Sequence, residues 1–105
     1  MEILKAIRER RSIRNFRKKD IPEEIVGKLI DSLIWAPSAG NLQARKFFFV
    51  KDIKLKKDIA TAALNQGFIA EAPLVIVGCT DSRISNKYGE RGECLYSIQD
   101  VAAAI

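Results

Sequence analysis

A chain of 105 residues, 48% hydrophobic and 30% charged, has the composition of one soluble globular domain, residues 1–105. It can bury only a small core, which favours oligomerisation, and its apolar runs fall far short of the roughly 18 residues needed to span a membrane. The net charge of +5 is local: between Arg8 and Lys19 seven basic residues stand against Glu9 alone, so that window carries +6 and the rest of the chain sums to −1.

Other exclusions follow. The chain has no histidine, which removes Ser–His and Cys–His hydrolase chemistry and histidine metal sites. Its two cysteines, Cys79 and Cys94, lack zinc-ligand spacing and read as reduced packing thiols. The start, MEILKAIRERR, mixes charges among its apolar residues and does not read as a signal peptide, so the cytoplasm is the default compartment.

Ile3, Leu4 and Ile7 form an apolar stripe that predicts a first helix running to about Arg11. The basic stretch Arg10-Arg11-Ser12-Ile13-Arg14 follows at its end. Asp20-Ile21-Pro22-Glu23 has the form of a capping box and opens a second amphipathic helix through Ile25, Val26, Leu29, Ile30, Leu33 and Ile34, stopped by Pro37, with Trp35 expected in the core. Ala36 to Gln43 is a loop of small and polar residues. Lys46–Val50 predicts a strand whose three consecutive phenylalanines suggest burial on both faces.

Helical spacing returns from Asp52 to Leu64 and breaks at Asn65-Gln66-Gly67. A short helical piece to Ala72 precedes Pro73 and a continuous apolar strand, Leu74–Cys79, suited to the middle of a covered sheet. Asp81–Gly92 reads as a polar loop, with Tyr88 and Arg91 exposed. A last helix from about Glu93 to Ile105 is expected to bury Leu95, Ile98, Val101, Ala102 and Ile105, and it carries no stop signal. The order ααβαβα predicts a mixed α/β or α+β domain.

Two constellations carry chemistry. Arg10, Arg11 and Arg14 with the Ser12 hydroxyl form a dense set of anion donors, since guanidinium forks match phosphate oxygens. A solvated helix end, a nucleic-acid backbone and a phosphorylated small molecule all remain open as the reason for that charge. Ser38, Asn41 and Gln43, on a loop with Pro37 and Gly40, supply neutral hydrogen-bonding groups. They read either as a turn that satisfies itself or as a surface for a polar heteroaromatic ligand.

Together, RRSIRNF near the start, APSAGNLQARKFFFV two dozen residues later and AEAPLVIVGC beyond resemble the nitroreductase family of flavin enzymes. The resemblance covers the whole chain, and the paired motifs are far more specific than either alone. It implies an α+β fold with helices packed on a mostly antiparallel sheet, non-covalent FMN at the interface of a homodimer, and hydride transfer from NADH or NADPH to nitroaromatic, quinone or similar small-molecule acceptors. It also implies that Arg10, Arg11, Ser12 and Arg14 hold the FMN phosphate, ribityl chain and ring edge. Pro37, Ser38, Asn41 and Gln43 would reach the flavin bound mainly to the other subunit, and Gln66 with Asn65 would supply a mid-chain contact. FMN brings its own redox chemistry, which suits a chain without histidine. The family's members are longer, and by this resemblance the chain is truncated where their long central helix begins. Two other readings stand beside the enzyme: a catalytically inactive flavin- or phosphate-binding dimeric remnant, and a small basic nucleic-acid-binding protein. The latter leaves the Pro-Ser-x-x-Asn-x-Gln loop unexplained.

Overall fold

The computed structural model describes residues 2–81 and 89–105. Its elements are α1 (Ile3–Glu9), α2 (Glu23–Ile34), a 3-10 turn (Ala39–Asn41), β1 (Arg45–Val50), α3 (Ile53–Ala62), α4 (Phe68–Glu71), β2 (Val75–Thr80), α5 (Gly89–Arg91), a π-helical turn (Gly92–Tyr96) and α6 (Ser97–Ala104). The fold is α+β, as expected. Tyr88 lies outside the described residues, whereas Arg91 is helical and exposed.

β1 and β2 pair antiparallel from Arg45 opposite Thr80 to Val50 opposite Val75. Side chains alternate between the faces of a strand, so Arg45, Phe47 and Phe49 share one face with Thr80, Gly78 and Ile76. α6 covers that face. A Cβ built on Gly78 would lie 3.0 Å from Val101 Cγ1 and 3.3 Å from both Ile105 Cδ1 and Phe47 Cε1. The missing side chain is what lets helix and strand approach. On the other face the Lys46 ammonium lies 5.2 Å from the centre of the exposed Phe48 ring, and Val50, Val75, Val77 and Cys79 are half-buried.

Local sequence explains most boundaries. Asp52 caps α3, its carboxylate accepting the Leu55 N–H at 2.9 Å. α3 ends where Leu64 and Asn65 turn left-handed (φ 62° and 56°). α2, by contrast, starts on Pro22 with no side-chain cap, so the expected Asp20 capping box does not form. Proline's fixed φ pre-organises the entry, and Glu23 and Glu24 favour the positive end of the helix. α1 stops at Glu9 because Arg10 is extended (φ −55°, ψ 133°).

Three expectations about burial are corrected. Trp35 is 80% exposed rather than in the core. Phe48 and Phe49 are exposed and Phe47 and β2 only half-buried, because a two-stranded sheet offers no neighbours beyond its edges. Of the expected stripe Leu95, Ile98, Val101, Ala102 and Ile105 the last helix buries Val101 and leaves the others exposed, and it buries Ser97 and Asp100 instead. The Ser97 N–H bonds back five residues to Gly92 O, and this π turn changes the phase in which the helix meets the sheet.

The resulting core is slight. Among the described residues the buried apolar ones are Ala44, Ala60, Ala72 and Val101. The radius of gyration is 15.5 Å, against about 13 Å for a compact chain of this length. The accessible surface is 8345 Å², roughly 2,400 Å² more than a compact chain of this mass exposes.

Candidate functional site

The first constellation sits on an extended segment behind α1. Residues 10–15 are all exposed. Arg11 donates one guanidinium nitrogen to the carbonyls of Arg8 and Arg10, each at 2.9 Å, and so satisfies the end of α1. Arg10 reaches Ser12 Oγ at 3.4 Å. The Arg14 guanidinium lies over the Phe68 ring at 5.9 Å, and Phe16 meets the same ring at 6.3 Å between centroids. Among the described residues none of these arginines pairs with a carboxylate; the one ion pair is the exposed Lys28–Glu24 contact at 3.6 Å.

Phe68 thus ties the basic segment to the turn that carries Asn65 and Gln66. Gln66 itself is engaged locally, its Nε2 donating to Ala63 O at 2.8 Å and its N–H to Ala60 O at 3.1 Å. The structure therefore brings Arg14 and the 65–68 turn together through a ring.

The second constellation is a tightly determined loop. Gly40, Asn41 and Gln43 are all left-handed, with φ of 57°, 56° and 52°. For a non-glycine residue that conformation costs roughly 1–2 kcal/mol, with asparagine the usual exception. Internal bonds offset part of it. Ser38 Oγ accepts the Gln43 N–H at 3.1 Å, and Gln43 Nε2 donates to Asn41 Oδ1 at 3.4 Å. Asn41 and Gln43 stay exposed, their amides side by side, while Pro37 is exposed and Ser38 half-buried.

Two buried charges hold this loop, and sequence reasoning assigned neither. Arg45, on β1, donates to the carbonyls of Ala36 at 2.7 Å, Pro37 at 3.0 Å and Ile34 at 3.3 Å. It thereby gathers the C-terminal end of α2, where a cation is favoured by the helix dipole. Asp100, on α6, accepts the Ala39 N–H at 2.9 Å through Oδ1. The two side chains are in residues only 9% and 5% exposed. The available signal was an arginine at the start of an apolar strand and an aspartate inside an apolar helix.

No hydrogen bond, ion pair or ring contact joins the arginine segment to the 37–43 loop among the described residues. Elsewhere, a cleft of about 640 Å³ is lined by Lys18, Lys19, Lys51 and the buried Lys56, whose Nζ donates to Ala72 O at 2.8 Å. No group of histidine, cysteine or acidic side chains able to hold a metal occurs among the described residues. Cys79 is half-buried on β2, Cys94 is exposed, and both are free. No helix there is long and apolar enough to cross a membrane.

The chain is thus an α+β domain with a guanidinium-rich segment and a braced polar loop. The sequence model of the Nitroreductase family matches residues 7–105. An NADH dehydrogenase of Thermus thermophilus is 39% identical over 69 residues, 66% of this chain and 34% of that protein. An FMN reductase [NAD(P)H] of Bacillus subtilis is 31% identical over 80 residues, 76% of this chain and 32% of that protein. The solved structure of NfrA2 from B. megaterium superposes with a TM-score of 0.84 at 25% identity, over 96% of this chain and 46% of that one. This chain belongs to the nitroreductase family. It spans less than half the length of the curated relatives it matches.

Proposed function

We propose that the chain binds FMN without a covalent link and, as a homodimer, passes hydride equivalents from NADH or NADPH to a small acceptor such as a nitroaromatic or quinone. The observation that carries this reading is the pairing of two donor sets of complementary chemistry in one small domain. Arg10, Ser12 and Arg14 are exposed cationic and hydroxyl donors with no carboxylate partner among the described residues. Asn41 and Gln43 form a neutral, exposed amide rim on a braced loop. A phosphate joined to a flat heteroaromatic ring needs both kinds of end, and the Bacillus subtilis relative is an FMN reductase.

Each residue has a stated part. Arg10 and Arg14 would hold the phosphate through charge-assisted bonds, with the Ser12 hydroxyl between them. Arg11 is largely committed to the end of α1, so its contribution is positive charge rather than a free fork. Pro37, Ser38, Asn41 and Gln43 would face the ring, and Asn65 and Gln66 the ribityl chain or ring edge. FMN, when bound, supplies the hydride chemistry, so the protein's task is to bind, orient and exclude water. The two donor sets make no contact within one chain, which supports a site completed by a second copy. The exposed Ile3, Leu4, Ile7, Ile98 and Ile105 support a large apolar interface in the same way.

The test is direct. Purified protein is mixed with excess FMN, freed of unbound flavin and examined by visible absorption, then given NADH without oxygen. Retained flavin bands that bleach with NADH are expected. A folded protein that retains no flavin would overturn the reading. Retention without bleaching would instead identify a flavin-binding chain that does not turn over.

A further inference from the structure

We propose that Arg45 and Asp100 are positioning residues for the flavin-facing loop, gripping it from two sides so that Asn41 and Gln43 are preset for the ring before it arrives. The inference rests on the FMN reading for its purpose, but its structural content stands apart from that reading.

The geometry is specific. Arg45 reaches out of the sheet and takes three carbonyls, those of Ile34, Ala36 and Pro37, so it sets where the loop leaves α2. Asp100 lies 61 residues from Ala39 in sequence and accepts that residue's N–H. It thus sets where the 3-10 turn begins. The left-handed residues Gly40 and Asn41 follow directly on the anchored Ala39, and Gln43, also left-handed, stands two residues before the strand pairing starts at Arg45. A backbone that leaves ordinary helical and extended space at three positions holds only when its surroundings over-determine it. Neither charge has an ion-pair partner of opposite sign among the described residues. Burying unpaired charges is unfavourable unless hydrogen bonds replace the lost water, and here Arg45 donates to three backbone carbonyls at the loop's start and Asp100 accepts one loop N–H. The charges and the loop therefore hold each other in place.

One consequence separates this role from simple packing. Asp100 comes from α6, a different layer from the loop it caps, so docking of α6 on the sheet and ordering of the loop are one event. A carboxylate and an amide carbonyl both accept an N–H, so Asp100→Asn keeps the acceptor while Asp100→Ala removes it. Arg45→Lys keeps the charge but offers one ammonium where a fork served three carbonyls.

The experiment uses the full chain. Amide hydrogen exchange is followed by mass spectrometry in peptides covering 37–44 and, as a reference, 45–50 and 75–80, and FMN affinity is measured by quenching of flavin fluorescence. For Asp100→Ala we expect exchange in 37–44 to rise about ten-fold or more, with the strand peptides unchanged and FMN affinity down by a similar factor. Asp100→Asn should stay within about three-fold of the parent in both readings, since its acceptor remains. Unchanged exchange in 37–44 for Asp100→Ala would overturn the proposal, as would Asp100→Asn behaving like Asp100→Ala. If Asp100→Ala does not fold, Arg45→Lys decides by the same two readings: loosening confined to 37–44 supports the proposal and a parent-like loop overturns it. If the parent binds no FMN, the flavin reading fails, and the exchange data alone still decide whether these residues hold the loop.

Discussion

Replacing Ile7 by aspartate tests whether the open surface of this chain is an interface between copies. α1 presents Ile3, Leu4 and Ile7 at 76%, 57% and 68% exposure, which is about two whole side chains of unburied apolar surface. Burying an aliphatic side chain contributes about 1.5–3 kcal/mol, so covering this stripe is worth about 3–6 kcal/mol per protomer. Ile7 accounts for about 1–2 kcal/mol of that, and in a two-fold dimer its loss occurs twice. The lost burial alone, about 2–4 kcal/mol, raises the dimer dissociation constant by a factor of about 30 to 1,000. Desolvation of the new carboxylate adds to it. Sedimentation velocity over a hundred-fold concentration range reads the effect, with circular dichroism confirming that helix content is retained. The excess surface of roughly 2,400 Å² is of the size one protomer would lose in a large obligate interface. A folded Ile7→Asp variant that dimerises as the parent does would refute the reasoning, and so would a parent that stays monomeric throughout.

Arg10→Ala and Arg14→Ala each remove a charge-assisted donor and should weaken FMN binding about 10- to 100-fold, with riboflavin affinity nearly unchanged, as measured by fluorescence titration. Equal losses for FMN and riboflavin would detach these arginines from the phosphate. Asp52→Ala deletes the cap on the Leu55 N–H and should lower stability by about 1 kcal/mol in urea unfolding, with no effect on flavin affinity. Gly78→Val places atoms where Val101 Cγ1 already stands 3.0 Å from a built Cβ and should cost about 1–3 kcal/mol by overpacking. Parent-like stability would show that α6 does not rest on β2.

Much of the local structure was legible because local causes set it. The period of Ile25, Val26, Leu29 and Leu33 makes α2 amphipathic, Asp52 caps α3, and Pro73 precedes β2; each depends on residues a few positions apart. The two donor sets were legible as motifs for the same reason, since Arg10-Arg11-Ser12-x-Arg14 and Pro37-Ser38-x-x-Asn41-x-Gln43 are contiguous. Their internal division was not. That Arg11 is spent on the end of α1 depends on where the helix stops, and it stops two residues earlier than the apolar stripe alone suggests.

Legible in the sequence, therefore, are the order of the longer helices and the two strands, the basic focus, the polar loop and the family they resemble; the short helical turns at Ala39–Asn41, Gly89–Arg91 and Gly92–Tyr96 are not. The tertiary structure decided how α6 is rotated on the sheet: of the expected stripe Leu95, Ile98, Val101, Ala102 and Ile105 it buries Val101, and it buries Ser97 and Asp100 in place of the rest. The choice went to the face that can deliver a carboxylate to the Ala39 N–H and Val101 to the gap above Gly78. It also decided that Arg45 is a buried anchor rather than a surface cation, and that Trp35 lies outside the core. Such outcomes depend on contacts between residues up to 61 positions apart, and periodicity within one segment carries no information about which partner lies across from it.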